Sequence, residues 1–113
     1  MHLVTYKTPA HTDAAAITRL LTGLQTLGWQ VYAVDDGEGA ENCKGETVKQ
    51  TVDRVTAVDD ARVYLSKGDL GHKACMYFVL GNSPWEVMAD CSSYPEWDAD
   101  LKLVEEAANL EGA

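Results

Sequence analysis

The sequence is short of cysteine, of basic residues and of long apolar runs, and each shortage excludes a class of protein. Three cysteines in 113 residues, with no CxxC spacing, predict neither a disulfide framework nor a four-ligand zinc site. No run reaches the roughly 20 apolar residues that a membrane-spanning helix needs, and the N-terminal segment lacks the pattern of a signal peptide. We therefore expect a single domain over residues 1–113 that is cytoplasmic and does not contact a membrane.

Basic residues are half as frequent as acidic ones, nine against eighteen, and the formal net charge is −9. Because nucleic-acid binding usually needs clustered Lys and Arg, ordinary nucleic-acid binding is not expected. Two interpretations of the acidic residues stay open: a solvated surface that maintains solubility, and a docking face for a partner protein with a basic surface. The acidic clumps are Asp35, Asp36, Glu38 and Glu41, then Asp59 and Asp60, then Asp98, Asp100, Glu105 and Glu106.

Apolar residues recur at helical spacing in three segments, 13–27, 46–58 and 94–110, and each segment is predicted to form a helix. The last helix begins with Ser93 and Glu96 at the spacing of a capping box. Residues 29–35, 61–67, 73–80 and 85–91 are rich in strand-forming residues, residues 2–7 could add a short strand, and residues 39–45 are either a loop or the return arm of a hairpin. The predicted fold is α+β: a two-layer sandwich of an antiparallel sheet of four to five strands covered by three helices.

The stretch CMYFVLGNSPWEVMADCS, residues 75–92, reads as a hairpin. A five-residue loop over residues 81–85 would place Cys75 opposite Cys91, close enough for a disulfide. Two interpretations stay open: a redox clip, and two small buried residues of a reduced core. Both faces of this hairpin are largely apolar, so a helix of the chain can cover one face and a second copy of the chain is a candidate for the other, which would make the protein a homodimer.

Chemistry-bearing motifs are missing. His72 and Cys75 lie three residues apart, which points their side chains to opposite faces of a strand, and no nucleophile elbow is present. The histidines are scattered, and no phosphate-binding loop occurs. Asp90 ends a strand, where a role as a cap or turn partner competes with one as an acid or base. No catalytic residue, metal ligand or cofactor is predicted.

Short patches of the sequence resemble small uncharacterised proteins encoded by bacteriophages and prophages. The patches are Gly81, Asn82, Val87 and Asp90 in the hairpin and Asp36, Gly37 and Glu38 upstream. Ser83 and Cys91 depart from the pattern of those proteins. The resemblance implies a setting, the cytoplasm of a host cell, and no particular chemistry.

Three functions follow as hypotheses. The first is a non-catalytic phage or prophage accessory protein that binds a host or phage protein and could inhibit host defence. The second is a small-molecule binder in which Tyr77, Trp85, Tyr94 and Trp97 stack on a base, with an arginine, Arg19, Arg54 or Arg62, reaching the same pocket. The third is a small hydrolase built on Asp90, His72 and a cysteine. The candidate ligand or partner surface consists of Asp35, Asp36, Glu38, Trp85, Asp90, Tyr94 and Trp97.

Overall fold

A computed structural model describes residues 4–5, 13–37, 39–42, 45–68, 71–83 and 86–107 of the chain. Each predicted helix and strand is present within these ranges, with bounds close to those predicted, and residues 39–45 contain the return arm of a hairpin. Residues 108–110 of the predicted last helix lie outside the described residues. The elements are β1 (Val4–Thr5), α1 (Asp13–Thr26), β2 (Trp29–Asp35), β3 (Ala40–Asn42), α2 (Val48–Thr56), β4 (Asp60–Lys67), β5 (His72–Ser83), β6 (Glu86–Cys91) and α3 (Pro95–Ala107).

The strands form one antiparallel sheet in the order β1-β6-β5-β4-β2-β3. Helices α1 and α2 pack on β2, α2 also contacts β4, and α3 packs against α1. The helices share one buried cluster with the inward residues of the sheet, so they cover a single face. The two-layer α+β fold is confirmed, and the two-residue strand β1 brings the sheet to six strands.

The core forms where the helical stripes meet the inward positions of the strands. On α1, Ile17, Leu20 and Leu24 are fully buried, as their spacing predicts. On the central strands, every second residue is buried: Ala61, Val63 and Leu65 of β4, and Ala74, Met76 and Phe78 of β5. This alternation leaves the intervening side chains of β4 and β5 on the opposite face of the sheet.

Helix α3 is fixed to the sheet by a cluster around Asp100. The Asp100 carboxylate accepts hydrogen bonds from Trp29 Nε1 at 2.8 Å and from Lys67 Nζ at 2.6 Å. The Trp97 ring meets the Trp29 ring edge to face, with centroids 5.0 Å apart. Asp100 and Glu105, which belong to the predicted acidic surface of this helix, are therefore largely removed from solvent, and Asp100 has a structural role.

The helix caps differ from those predicted. The Ser93 hydroxyl donates to Asp98 at 3.3 Å and has no hydrogen bond with Glu96, so the predicted capping box of α3 is wrong. Helix α2 carries a capping box instead. The backbone N–H of Gln50 donates to Thr47 Oγ1 at 3.2 Å, and the backbone N–H of Thr47 donates to the side-chain oxygen Oε1 of Gln50 at 2.8 Å. The same spacing of residue types is present at both helix starts. Thr47 directly precedes α2 and is its N-cap, whereas Ser93 lies two residues before the first residue of α3.

The hairpin of β5 and β6 has a different register from the one predicted. Strand β5 continues through residues 81–83, where the loop was expected, and Ser83 pairs with Glu86. Tyr77 pairs with Asp90 and Phe78 with Met88, so the pairing skips residue 89, and Met76 lies opposite Cys91. Because a shift of one residue moves a side chain to the other face, the predicted pairing of Cys75 with Cys91 is wrong. Both thiols are free.

Candidate functional site: the open face of the sheet

No described residue range packs over the face of the sheet opposite the helices. We call its central side chains the open face: Tyr32, Arg62, Tyr64, Lys73, Cys75 and Tyr77. The strand register aligns them in rows, since Arg62 pairs with Tyr77, Tyr64 with Cys75, and Ser66 with Lys73. Tyr32 lies on the same face because it follows Val31, which packs against the core, and it is the extra residue where the pairing of β2 with β4 shifts. Its ring centroid lies 6.2 Å from that of Tyr64.

The two cations of the open face rest on tyrosine rings. Arg62 Cζ lies 4.5 Å from the centroid of the Tyr77 ring, and Lys73 Nζ lies 5.5 Å from the centroid of the Tyr32 ring. Both side chains are exposed, and neither forms an ion pair with another residue in the described ranges. A cation over an aromatic face is stabilised by about 0.5–1 kcal/mol at an exposed site, which orders it without neutralising its charge.

The carboxylates beside these cations already accept hydrogen bonds from the chain itself. Asp60 accepts the Tyr77 hydroxyl at 2.6 Å. Asp35 accepts the backbone N–H of Gly37 at 2.9 Å and that of Gly39 at 3.3 Å, both glycines having the positive φ that this turn requires. Asp90 accepts the backbone N–H of Cys91 at 2.9 Å. Within the described residues, these carboxylates therefore form hydrogen bonds with the chain but no ion pair with Arg62 or Lys73.

Two phenols and the thiol of the open face, those of Tyr64, Tyr77 and Cys75, have raised pKa values, which favours the neutral form of each. Burial raises the pKa of the Tyr64 phenol, and nearby Cys75 and Asp35 raise it further. The hydrogen bond to Asp60 raises the pKa of Tyr77. Burial also raises the pKa of the Cys75 thiol, although Arg62 lowers it in part. Since the thiolate is the nucleophile, this environment disfavours thiol chemistry at Cys75.

Two adjoining clefts on the open face have lining residues from four strands, β2, β4, β5 and β6. One, of about 250 Å³, is lined by Arg62, Cys75 and Tyr77 together with residues 90–92. The next, of about 180 Å³, is lined by Tyr32, Tyr64 and Lys73 and shares Cys75 and Ser92 with the first. Because the two clefts share lining residues, an extended segment of a partner could contact both tyrosine–cation pairs.

The structure brings two of the predicted surface residues to the open face. Asp35 pairs with Arg62, and Asp90 with Tyr77, so both lie in one row across the sheet. Asp36, half-buried, follows at the end of β2. Tyr94 donates its hydroxyl to the Lys73 carbonyl at 2.7 Å and stacks on His72. Glu38 and Trp85 lie outside the described residues.

Trp97 does not belong to a surface, because its side chain is 0% exposed. It lies on the inward stripe of α3 with Leu101 and Val104, both of which are buried. The apolar stripe of this helix can be seen in the sequence. It indicates the buried position of Trp97 better than the aromatic character of the residue does.

Sequence reasoning missed the residues that define the open face, apart from Tyr77 and Arg62 as members of a general aromatic and arginine set. The signal for them is the alternation of β4 and β5. If Val63 and Leu65 face inward, then Arg62 and Tyr64 face outward. The same alternation applies to β2, where Tyr32 follows the inward residue Val31.

The groups proposed for a hydrolase are not assembled in the part of the chain that the structure describes. No hydrogen bond there joins His72 to Asp90 or to a cysteine. In the same ranges, no group of three or more His, Cys, Asp or Glu side chains is placed to hold a metal ion, and no helix is both long and apolar enough to cross a membrane.

Comparison with known proteins adds nothing to this geometry. No protein-family model, curated protein or solved structure matches the chain. The function must therefore be argued from the open face itself.

Proposed function

We propose that the protein is a non-catalytic binding protein and that it docks an acidic segment of a partner protein on the open face. The observation that carries this proposal is the pair of exposed cations, Arg62 and Lys73, which are held on tyrosine rings and have no ion pair in the described ranges. Ordered cations among tyrosines are typical of interfaces, where Tyr and Arg contribute most to binding.

The chemistry of the open face favours carboxylates as the matching groups. In the part of the chain that the structure describes, no carboxylate forms an ion pair with Arg62 or Lys73, whereas Asp35, Asp60 and Asp90 already accept hydrogen bonds. A nucleic acid is disfavoured because two cations cannot offset a net charge of −9 against a phosphate backbone. A carboxylate-bearing peptide needs only one or two such contacts, which are bidentate in the case of arginine.

The proposed setting is the cytoplasm of a host cell, where the chain acts as a phage or prophage accessory protein. The proposed partner is a host or phage protein, and one proposed outcome of binding is inhibition of a host defence. Docking of a basic partner on the acidic clumps stays a prediction. Stacking of a nucleotide base is less favoured, since the Tyr77 ring carries Arg62, Tyr94 stacks on His72, and Trp97 is buried.

Site-specific photo-crosslinking tests this proposal. A benzophenone amino acid replaces Tyr64 at the centre of the open face, and a matched variant carries it at Leu103, which is 55% exposed on α3. Irradiation in a bacterial extract is expected to give an adduct from position 64 and none from position 103. Mass spectrometry is expected to place the crosslink in a partner segment rich in Asp and Glu.

Charge variants then establish whether the cations make the contact. Arg62→Gln combined with Lys73→Gln is expected to abolish the adduct, while Lys49→Gln, which removes an exposed cation of α2 that pairs with Asp53, is expected to leave it unchanged. An adduct of twice the chain mass would show that a second copy occupies the face. That result, a crosslinked segment without acidic residues, or no adduct at all would each contradict the proposal.

A further inference from the structure

A cavity of about 180 Å³ lies between the two layers, on the side of the sheet opposite the open face. Helices α1 and α2 form one wall, and strands β2 and β4 form the floor. Its apolar lining comes from Leu21, Trp29, Val31, Val48 and Leu65. An apolar cavity of about 150 Å³ holds a benzene molecule, so this one can hold a ring with a short substituent.

Two polar groups in the lining have unused hydrogen-bonding capacity. Thr51 is 1% exposed, and its hydroxyl makes no hydrogen bond to another described residue. Glu46 uses Oε1 to accept from Arg54, while its Oε2 is buried and has no partner in the described ranges. Such buried acceptors are rare in native proteins, and one explanation of them is a bound molecule that supplies a donor.

The charge around Glu46 selects the type of donor. Arg54 pairs with Glu46 and also with Glu41, through Nη1 and Oε2 at 2.7 Å. Among the described residues, two carboxylates therefore share one guanidinium, so the excess charge of these three side chains is negative. Together with the apolar floor and the face of the Trp29 indole, this arrangement suits an ammonium group attached to a hydrophobic body.

We infer that this cavity is a binding site for a small primary amine with an aromatic or aliphatic body. The ammonium group donates to Glu46 Oε2 and to the Thr51 hydroxyl, and the body packs on Trp29 and Leu65. The site lies in the opposite layer from the open face and does not depend on the function proposed for that face.

Titration by two-dimensional ¹H–¹⁵N NMR tests the inference with benzylamine as the probe and benzyl alcohol as its neutral counterpart. Benzylamine is expected to shift the amide signals of Val48 and Thr51 and the indole signal of Trp29 in a saturable manner. Benzyl alcohol is expected to bind at least about tenfold more weakly, because its hydroxyl can donate to Glu46 but carries no positive charge to pair with the carboxylate. Equal affinities, or no saturable shifts, would overturn the inference.

Two neighbouring glutamates give a matched pair of variants. Glu46→Gln is expected to weaken benzylamine binding about tenfold or more, whereas Glu41→Gln, which also removes a partner of Arg54 but does not line the cavity, is expected to change it less than about threefold. Thr51→Val preserves the shape of the buried side chain and removes its hydroxyl. It provides a second test of the site if Glu46→Gln does not fold. It is expected to weaken benzylamine binding severalfold and benzyl alcohol binding less. Shifts that persist in Glu46→Gln and Thr51→Val would overturn the site.

Discussion

At the scale of single residues, Asp100 shows how position changes the role of an acidic side chain. In the sequence it is one of five acids in the last predicted helix, and a solvated role was one open interpretation. In the fold it is 14% exposed and accepts from both Trp29 and Lys67. The sequence pattern marks α3 as amphipathic, but it does not show that Lys67, on a distant strand, ends beside this carboxylate.

Replacing Asp100 with Asn is expected to lower the free energy of unfolding by about 1–2 kcal/mol, because Lys67 loses its charged partner while Trp29 keeps a weaker acceptor. Urea unfolding followed by tryptophan fluorescence measures the change. The control is Asp53→Asn, whose ion pair with Lys49 is mostly solvent-exposed, with an expected loss below about 0.5 kcal/mol. Equal losses in the two variants would contradict the assigned role.

The stabilisation by Asp100 is also expected to depend on pH. Burial alone would raise the pKa of this carboxyl, but the hydrogen bonds from Lys67 and Trp29 lower it below its ordinary value of 3.8. The folded state therefore binds the proton less readily than the unfolded state, so the contribution is complete above pH 3.8 and is lost as the pH falls through the folded pKa. The stability difference between wild type and Asp100→Asn should shrink below about pH 4; a difference that stays constant down to pH 2 would contradict this.

At the scale of elements, the packing of α1 on α3 depends on a glycine inside a helix. A Cβ atom at Gly23 would lie 2.7 Å from Val104 Cγ1, closer than two carbons approach. Helix propensity alone favours alanine over glycine by about 1 kcal/mol. For a change of Gly23 to alanine, the steric contact and the helix propensity have opposite effects on stability. The contact outweighs the propensity because the Val104 side chain has little rotamer freedom in a helix and cannot easily move away.

We therefore expect Gly23→Ala to destabilise the protein by about 1–2 kcal/mol, since overpacking by about 1–3 kcal/mol exceeds the gain in propensity. Thermal and urea unfolding measure it. The double variant Gly23→Ala with Val104→Ala is expected to be less destabilised than the sum of the single variants. Strict additivity would show that the two positions are not in contact.

The register of β5 and β6 gives a further prediction at this scale. Opposed strand residues have Cα atoms about 4.5–5.5 Å apart, which suits a disulfide when both side chains share a face. Met76→Cys, in a Cys75→Ser background, is therefore expected to form a disulfide with Cys91 under mild oxidation, whereas wild type is expected to form none between Cys75 and Cys91. Peptide mapping under non-reducing conditions distinguishes the two. A disulfide-linked Cys75–Cys91 peptide from wild type would contradict this prediction. It would support the alternative register, in which no residue is skipped at position 89 and Cys75 lies opposite Cys91.

Periodicity in the sequence predicts most of these elements, because burial of one face imposes a spacing of 3.6 on helices and of two on strands. It predicts Ile17 and Leu20 in the core and Val63 and Leu65 on the inward face. It fails where one residue changes the pairing, at Tyr32 and at residue 89, because bulges depend on the local twist and on the partner strand. Since the side chains of the open face depend on that register, the candidate site was less predictable than the fold.

At the scale of the whole molecule, charge and shape together set what can cover the open face. A second copy would present the same two cations, and its carboxylates on that face already accept hydrogen bonds from their own chain. Pairing the face with itself would therefore bring Arg62 and Lys73 of both copies together without new partners, in molecules that each carry a net charge of −9. Like charges brought together at an interface oppose association.

The chain is accordingly expected to be a monomer of 12.3 kDa in solution at micromolar concentration. Sedimentation equilibrium at low and at high salt measures this, because screening at high salt removes the repulsion between acidic copies. The expected result is one species of monomer mass under both conditions. A dimer at both salt concentrations would contradict this expectation. Two variants would then locate the interface: if Tyr64→Lys dissociates the dimer and Leu103→Lys does not, the second copy lies on the open face. In that case the second copy, and not an acidic partner, occupies the face.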